Sequence, residues 1–382
     1  MRFVFRVTLL YSSIFAVIGI QMPFLPVWLA ANGLDERMIA TVLAVSTAAR
    51  VAAVPFGTRA ADYFAGLTTG ILVAFLASAV SFTMVGLANG ATMILLSCAL
   101  AAAVGGIALP LVETYALHGL AARGRAYGPV RSWGSVAFIA GNLAAGLLVT
   151  LMAPAHFIWV IVAAYWGGVL TAIALPVVDL GSAPAVPHDG GNLAVGTPGL
   201  LAIIAAASLI QASHGVFYAF GTLQWTAAGL DGVTIGALWA LGVLAEIVLF
   251  AVSAWFPPRL GPFALLAAGA AGATLRWTAM AFAPPLAALP GLQCLHALSF
   301  GATHLGAVQF VARTAPPGRA ASAQGLLALA NGTLMAASIA VAGQAYAAWG
   351  AAAYALMALL AAAGGAIVLT TLLRQRRPRS AR

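Results

Sequence analysis

The sequence predicts an all-α polytopic membrane protein: twelve transmembrane helices in two pseudo-symmetric six-helix bundles. Composition, the spacing of apolar stretches and an internal repeat predict it. Of 382 residues, 63% are hydrophobic and only 7% charged, with a mean hydropathy of +1.03. A soluble domain carries roughly a quarter charged residues, whereas a chain in lipid keeps charge off its outer surface.

A crossing needs about 20 apolar residues. Turn residues and charges divide the chain into twelve such stretches: 3–31, 37–58, 67–89, 92–118, 129–153, 156–177, 199–228, 232–254, 262–283, 286–312, 320–348 and 351–373. Arg2 and Arg6 before apolar residues imitate a signal peptide, but the run continues to Ala31, so it reads as a retained first span. Between spans six and seven, DLGSAPAVPHDGGNLAVGTP (179–198) has no apolar periodicity and reads as a linker. The expected organisation is a bundle over 1–178, a cytoplasmic linker over 179–198, and a bundle with a basic cytoplasmic tail over 199–382.

Gly33, Leu34 and Asp35 recur as Gly229, Leu230 and Asp231, at an offset of 196, and Gly128 after span four answers Gly325 after span ten. Nearly constant offsets over separated segments indicate duplication. Two six-helix halves joined by a linker are the architecture of the major facilitator superfamily.

All 17 basic residues are arginine. With a cytoplasmic N-terminus, Arg2, Arg6, Arg59, Arg123, Arg125, Arg259, Arg313, Arg319 and the tail arginines fall inside, and only Arg37 outside, as the positive-inside rule requires. These arginines sit in short loops and a tail facing lipid headgroups, so the net charge of +9 is no nucleic-acid footprint. No GxxxxGK[ST], HExxH, CxxC or GxSxG is present, so ATP-driven transport is unsupported and no cofactor or metal is expected. Cys98 and Cys294 lie in apolar stretches and read as core thiols.

A charge near the bilayer centre costs about 2.5–3.5 kcal/mol on insertion scales, so each needs a partner or a wet cavity. Besides Arg6 and Arg37 at span ends, the formal charges inside spans are Arg50, Glu113, Arg131, Glu246 and Arg276, with His214, His296 and His304 beside them. Glu113 on span four and Arg131 on span five are expected to pair, as a carboxylate-binding group or as a structural ion pair. Glu246, Arg276 and His304, on spans eight to ten, form a cluster suited to loading and releasing a proton, or to sealing the bundle. His296 and His304 lie about 80° apart around a regular helix and share a broad face. Gln211, His214 and Tyr218 form an i, i+3, i+7 polar stripe expected to line a cavity. Arg50 has three open readings: a pair with Glu113, a pair with Asp62, or reach toward a headgroup. Asn331 and Gln324 line the cavity or bond helix to helix. Phe138, Trp133, Phe217, Phe220 and Trp225 are candidates for an aromatic wall.

MPFLPVWL (22–29), YGPVRSWGSVAFIAG (127–141), HGVFYAFGTLQW (214–225), GVLAEIVLF (242–250), LRW (275–277) and HALSFGATH (296–304) resemble the phenylpropionate permease family, which belongs with the oligosaccharide and nucleoside proton symporters. A more distant resemblance to the lactose permease implies substrate-binding roles for Glu113 and Arg131, with Phe138 at the place of a sugar-stacking aromatic. It implies proton coupling through Glu246, Arg276 and His304. Ala307 replaces a second coupling glutamate, and the loop 55–66 keeps Asp62 of a gating signature without the basic cluster behind it.

The expected function is proton-coupled import of a small organic solute by alternating access, with a 3-phenylpropionate-like aromatic acid leading. His214, Tyr218, His296 and Asn331 are further candidate substrate contacts. The alternatives are a sugar or nucleoside symporter, an efflux antiporter, or a membrane receptor or embedded enzyme. The expected partners are the small-molecule substrate, protons and the bilayer, with the chain acting as a monomer. The lysine-free, Ala-, Gly- and Arg-rich composition suggests a GC-rich bacterial genome and hence an inner membrane.

Overall fold

The computed structural model describes residues 2–64, 66–176, 197–257, 260–316 and 319–376, apart from the side chains of 59–64 and 375–376. Among these residues every regular element is helical. The helices are α1 (Arg2–Ala31), α2 (Glu36–Phe64), α3 (Gly66–Leu87), α4 (Ala91–Ala121), α5 (Tyr127–Leu151), α6 (Ile158–Ile173), α7 (Pro198–Ala212), α8 (Gly215–Ala227), α9 (Gly232–Val252), α10 (Pro262–Ala281), α11 (Leu289–Cys294), α12 (Thr303–Thr314), α13 (Ala320–Trp349) and α14 (Tyr354–Arg376). They occupy each of the twelve apolar stretches. Nine continuous helical stretches among the described residues are long and apolar enough to cross a membrane by length and composition, the last running from Ala320 to Arg374 through two of those spans. The linker 179–196, Arg259 and the tail beyond 376 lie outside the described residues.

Two spans are not the continuous α-helices that hydropathy implies. Span seven stops at Ser213, whose hydroxyl bonds back to the Ile210 carbonyl at 2.6 Å, and resumes at Gly215. Gly215 approaches α13 so closely that a Cβ there would meet the Ser338 hydroxyl. Span ten consists of α11, a π-helical segment Ala297–Ala302, and α12. Cys98 is buried as expected, but Cys294, at the end of α11, is exposed.

The chain forms two compact units. Unit 1 groups Met1–Asp189 with Phe220–Ala240, and unit 2 groups Gly190–Ala219 with Leu241–Arg382. The core of unit 1 is built from Val7, Leu10 and Tyr11 of α1, Ile71 and Phe75 of α3, Leu111, Val112 and Tyr115 of α4, and Val169 of α6. These recur every three or four residues, the spacing that keeps one helix face inward. Leu200 and Ile203 of α7, Leu266 of α10, Phe310 and Val311 of α12 and Val368 of α14 do the same in unit 2.

Lipid supplies no hydrophobic force between helices, so small residues that admit close backbone approach hold them together. On α1, Gly19 lies against the Phe138 carbonyl of α5. On α5, a Cβ at Gly141 would sit 2.7 Å from the Ala16 carbonyl oxygen of α1.

The repeated Gly-Leu-Asp has a structural explanation. Gly33 and Gly229 adopt φ of 80° and 85°, the left-handed conformation that ends a helix. Asp35 and Asp231 then cap the next helix, accepting from Met38 N at 2.8 Å and Thr234 N at 2.7 Å. Asp35→Ala is expected to cost about 1 kcal/mol, read as a lower Tm. At Asp231 the Thr234 N–H holds the carboxyl below its ordinary range. Its folded pKa is depressed, so its contribution is present above the usual carboxylate range and is lost as pH falls through the lowered value. Asp231→Asn, which keeps the cap without titrating, is expected to flatten that acid-side loss in a melting series.

Candidate functional site

A chain of polar groups crosses the interior of unit 2. Arg276, on α10, is completely buried. A buried guanidinium must spend its donors, and this one meets three neutral acceptors and two aromatic faces. Its Nη1 donates to His296 Nδ1 at 3.1 Å and to Ser299 Oγ at 3.3 Å, while Nη2 donates to Gln293 Oε1 at 2.7 Å. Its carbon lies 4.8 Å from the ring centre of Phe217 and 4.5 Å from that of Trp277.

These contacts fix proton positions. Arginine donates only, so His296 Nδ1 accepts, and a neutral His296 carries its proton on Nε2. That nitrogen faces Glu246 Oε2 of α9 at 3.6 Å, within ion-pair range and longer than a hydrogen bond. On the other side, His214 Nδ1 donates to the Gln211 carbonyl at 2.9 Å, leaving Nε2 to accept from Ser299 at 3.2 Å. The order is therefore Glu246, His296, Arg276, Ser299, His214. His296 bridges Glu246 and the arginine.

The backbone explains the placement. The break after α7 turns His214 inward, where it stacks on Tyr218 and meets the edges of Trp277 and His296. Glycines let α9 approach span ten: a Cβ at Gly242 would sit 3.4 Å from His296 Cβ, and one at Gly301 would sit 3.3 Å from Glu246 Cγ. The π segment aims Ser299 at Arg276 and leaves the Phe300 carbonyl for Gln211 Nε2 at 3.2 Å. Single π turns inside helices often mark functional sites.

Several sequence expectations are corrected here. Of the two histidines near Glu246, His296 is within ion-pair range, while His304 is exposed and also feels the Glu246 charge. Phe300 stands between the two: ring centres run 5.2 Å from His296 to Phe300 and 6.1 Å on to His304, with interplanar angles of 17° and 12°. The wider π turn brings residues 296, 300 and 304 into line, where a regular helix would fan them out. Of the Gln211, His214 and Tyr218 stripe, Gln211 and His214 are buried and Tyr218 is half-buried. Asn331 accepts from Ser208 at 2.7 Å, and Gln324 donates to the Val308 carbonyl at 3.2 Å, so both tie helices together. Ala307 is a core residue packed in the cluster of Leu266 and Phe310. Gln293 and Ser299 were not anticipated. Their signal is the i, i+3 spacing of Gln293, His296 and Ser299 on an otherwise apolar span.

Unit 1 is organised differently. Glu113 and Arg131 feel each other's charge, but among the described residues they make no ion pair. Arg131 lies four residues, about 6 Å, inside α5, and its guanidinium stacks 4.1 Å over Phe15 and 5.8 Å from Tyr11. The aromatic faces of α1 occupy the arginine, since α1 packs along α5 while α4 does so only slightly. Phe138 is buried about two turns deeper on α5, and Trp133 is exposed. Phe220 and Trp225 are buried too. Asp62 lies near the end of α2, its side chain outside the described residues.

Long apolar helices with ionisable groups held inside them mark a polytopic membrane protein. The chain belongs to the MFS_1 like family, whose model matches residues 4–354. It is 29% identical over 323 residues to the "Probable 3-phenylpropionic acid transporter" of Escherichia coli (strain K12), covering 79% of this chain and 80% of that one. It is 27% identical over 311 residues to "Maltose permease" of Geobacillus stearothermophilus, covering 81% and 78%. Its fold matches the nucleoside transporter NupG with a TM-score of 0.80 at 16% identity, over 99% of this chain and 100% of that one. It also matches a bacterial homolog to the human lysosomal transporter Spinster, with a TM-score of 0.74 at 13% identity over 99% and 98%. Family and neighbours are transporters, not enzymes.

Proposed function

We propose that this transporter couples inward proton movement to import of a small aromatic carboxylate by alternating access across a bacterial inner membrane. The observation that carries the reading is the Glu246–His296–Arg276 chain. His296 can take up a proton only at Nδ1, the atom that receives the Arg276 hydrogen bond. Protonation therefore puts a donor against a donor and evicts the guanidinium. Glu246 stabilises the resulting imidazolium from the Nε2 side, and Ser299 and His214 offer Arg276 another seat. The coupling histidine in this reading is His296, with His304 one ring further out. His214 and Tyr218 frame the network.

The relative named for 3-phenylpropionic acid supports an aromatic carboxylate as substrate. Arg131, which makes no ion pair among the described residues and stacks on Phe15, is suited to receive the carboxylate, with Glu113 orienting it and Phe138 shaping the apolar side. The arginine distribution supports cytoplasmic termini. The test is the initial rate of labelled 3-phenylpropionate uptake into proteoliposomes with an inward proton gradient, corrected for protein-free vesicles because the neutral acid crosses lipid unaided. Wild type is expected to exceed that background and Arg131→Ala to fall at least about tenfold, one charge-assisted contact. Uptake of labelled maltose with no uptake of 3-phenylpropionate would overturn the substrate and favour a sugar.

A further inference from the structure

Arg50 stands at the centre of α2, fourteen residues from each end, or about 21 Å along the axis. The apolar span is Glu36–Thr58, so Arg50 lies eight residues, about 12 Å, inside its nearer end, farther than an arginine side chain reaches. Asp62 is twelve residues, about 18 Å, further along the same helix and is equally out of reach. Among the described residues the Arg50 guanidinium makes no hydrogen bond, ion pair or aromatic contact.

Its surroundings are polar and shaped. The side-chain stem crosses α4 at Gly106, where a Cβ would sit 2.5 Å from its Cγ and 3.3 Å from its Cδ. At the adjacent Gly105 a Cβ would lie 3.6 Å from Ser78 Oγ and 3.7 Å from the Tyr165 hydroxyl. The two glycines thus open a path past α4 toward α6. The titratable group acting on Arg50 is Tyr165 of that helix. Tyr165 donates to Gln21 Oε1 of α1 at 3.0 Å, which leaves the Gln21 amide hydrogens without a partner among the described residues. One turn before Arg50, the Ser46 hydroxyl is buried and unpartnered.

We infer that Arg50, with Gln21 and Ser46, forms an anion site at mid-membrane depth in unit 1 that takes the carboxylate of a small organic acid. This rests on the transporter reading above and deepens it: Arg131 meets the carboxylate near the end of α5, and Arg50 holds it at the centre. An arginine without a counter-ion is stable there only where water or an anion reaches it. Its donor fork matches a carboxylate in two-point contact.

The test is binding to purified wild type, Arg50→Gln and Arg50→Lys, read by ligand-dependent thermal shift. The probes are 3-phenylpropionate, benzoate, hexanoate and the uncharged 3-phenyl-1-propanol. Arg50→Gln is expected to weaken carboxylate binding at least about tenfold and leave the alcohol unchanged, with Arg50→Lys recovering part of the loss. Equal weakening of acid and alcohol would mean a structural role and overturn the inference, as would carboxylate binding unaffected by Arg50→Gln or no carboxylate binding to wild type. If a carboxylate other than 3-phenylpropionate binds in an Arg50-dependent way, the anion site stands and only the substrate assignment falls.

Discussion

Replacing Glu246 by glutamine is expected to abolish proton-driven accumulation while substrate exchange continues. One pH unit is worth about 1.4 kcal/mol per proton and supports about tenfold accumulation for one proton per substrate. The amide would keep the side chain's shape beside His296 but hold no titrating proton, so the gradient would do no work on the substrate. Exchange of internal for external substrate needs no net proton movement and should persist. The measurement is a pair of assays on one preparation, gradient-driven uptake and counterflow. His296→Gln should share the uptake defect, because it keeps an acceptor for Arg276 without the second protonation site. His304→Gln should retain more uptake than His296→Gln, since Phe300 stands between that ring and His296 and only the Glu246 charge reaches His304 among these groups. The opposite ranking of the two histidine variants would sink the proton route.

Replacing Gly19 by leucine is expected to remove the folded protein. A Cβ at Gly19 meets the Phe138 carbonyl, and at Gly141 it meets the Ala16 carbonyl. Both obstacles are main-chain atoms of an adjoining helix, which cannot turn aside as a side chain would. Overpacking against movable neighbours costs about 1–3 kcal/mol. Here the helices themselves must separate, so Gly19→Leu should exceed that range and Gly141→Ala should reach it. Monodisperse yield and Tm in detergent provide the readout. The control is Gly128→Ala on the same α5, where a Cβ would meet nothing within 4 Å and Tm should be unchanged. A stable, monodisperse Gly19→Leu variant would show that α1 and α5 do not pack this way.

Hydropathy located the spans because bilayer thickness sets how many apolar residues a crossing needs, whatever the helices pack against. The recurring Gly-Leu-Asp was equally legible, since helix ending and N-capping depend on residues a few positions apart. The charges inside the membrane, Arg50 and Arg276 among them, were legible too, because each is costly enough in lipid to stand out on any scan. What the sequence could not determine was which charges meet. That depends on helix rotation and register, and two local departures reset both. The break at Ser213 turned His214 inward, and the π turn at Ala297–Ala302 aligned His296 with His304 and aimed Ser299 at Arg276. Arg131 met the rings of α1 instead of Glu113 because α1, not α4, packs along its helix. Local chemistry therefore determined where each helix crosses and where it ends, and only tertiary packing decided the partner of each buried charge, since a rotation of one residue, about 100°, changes every neighbour it has.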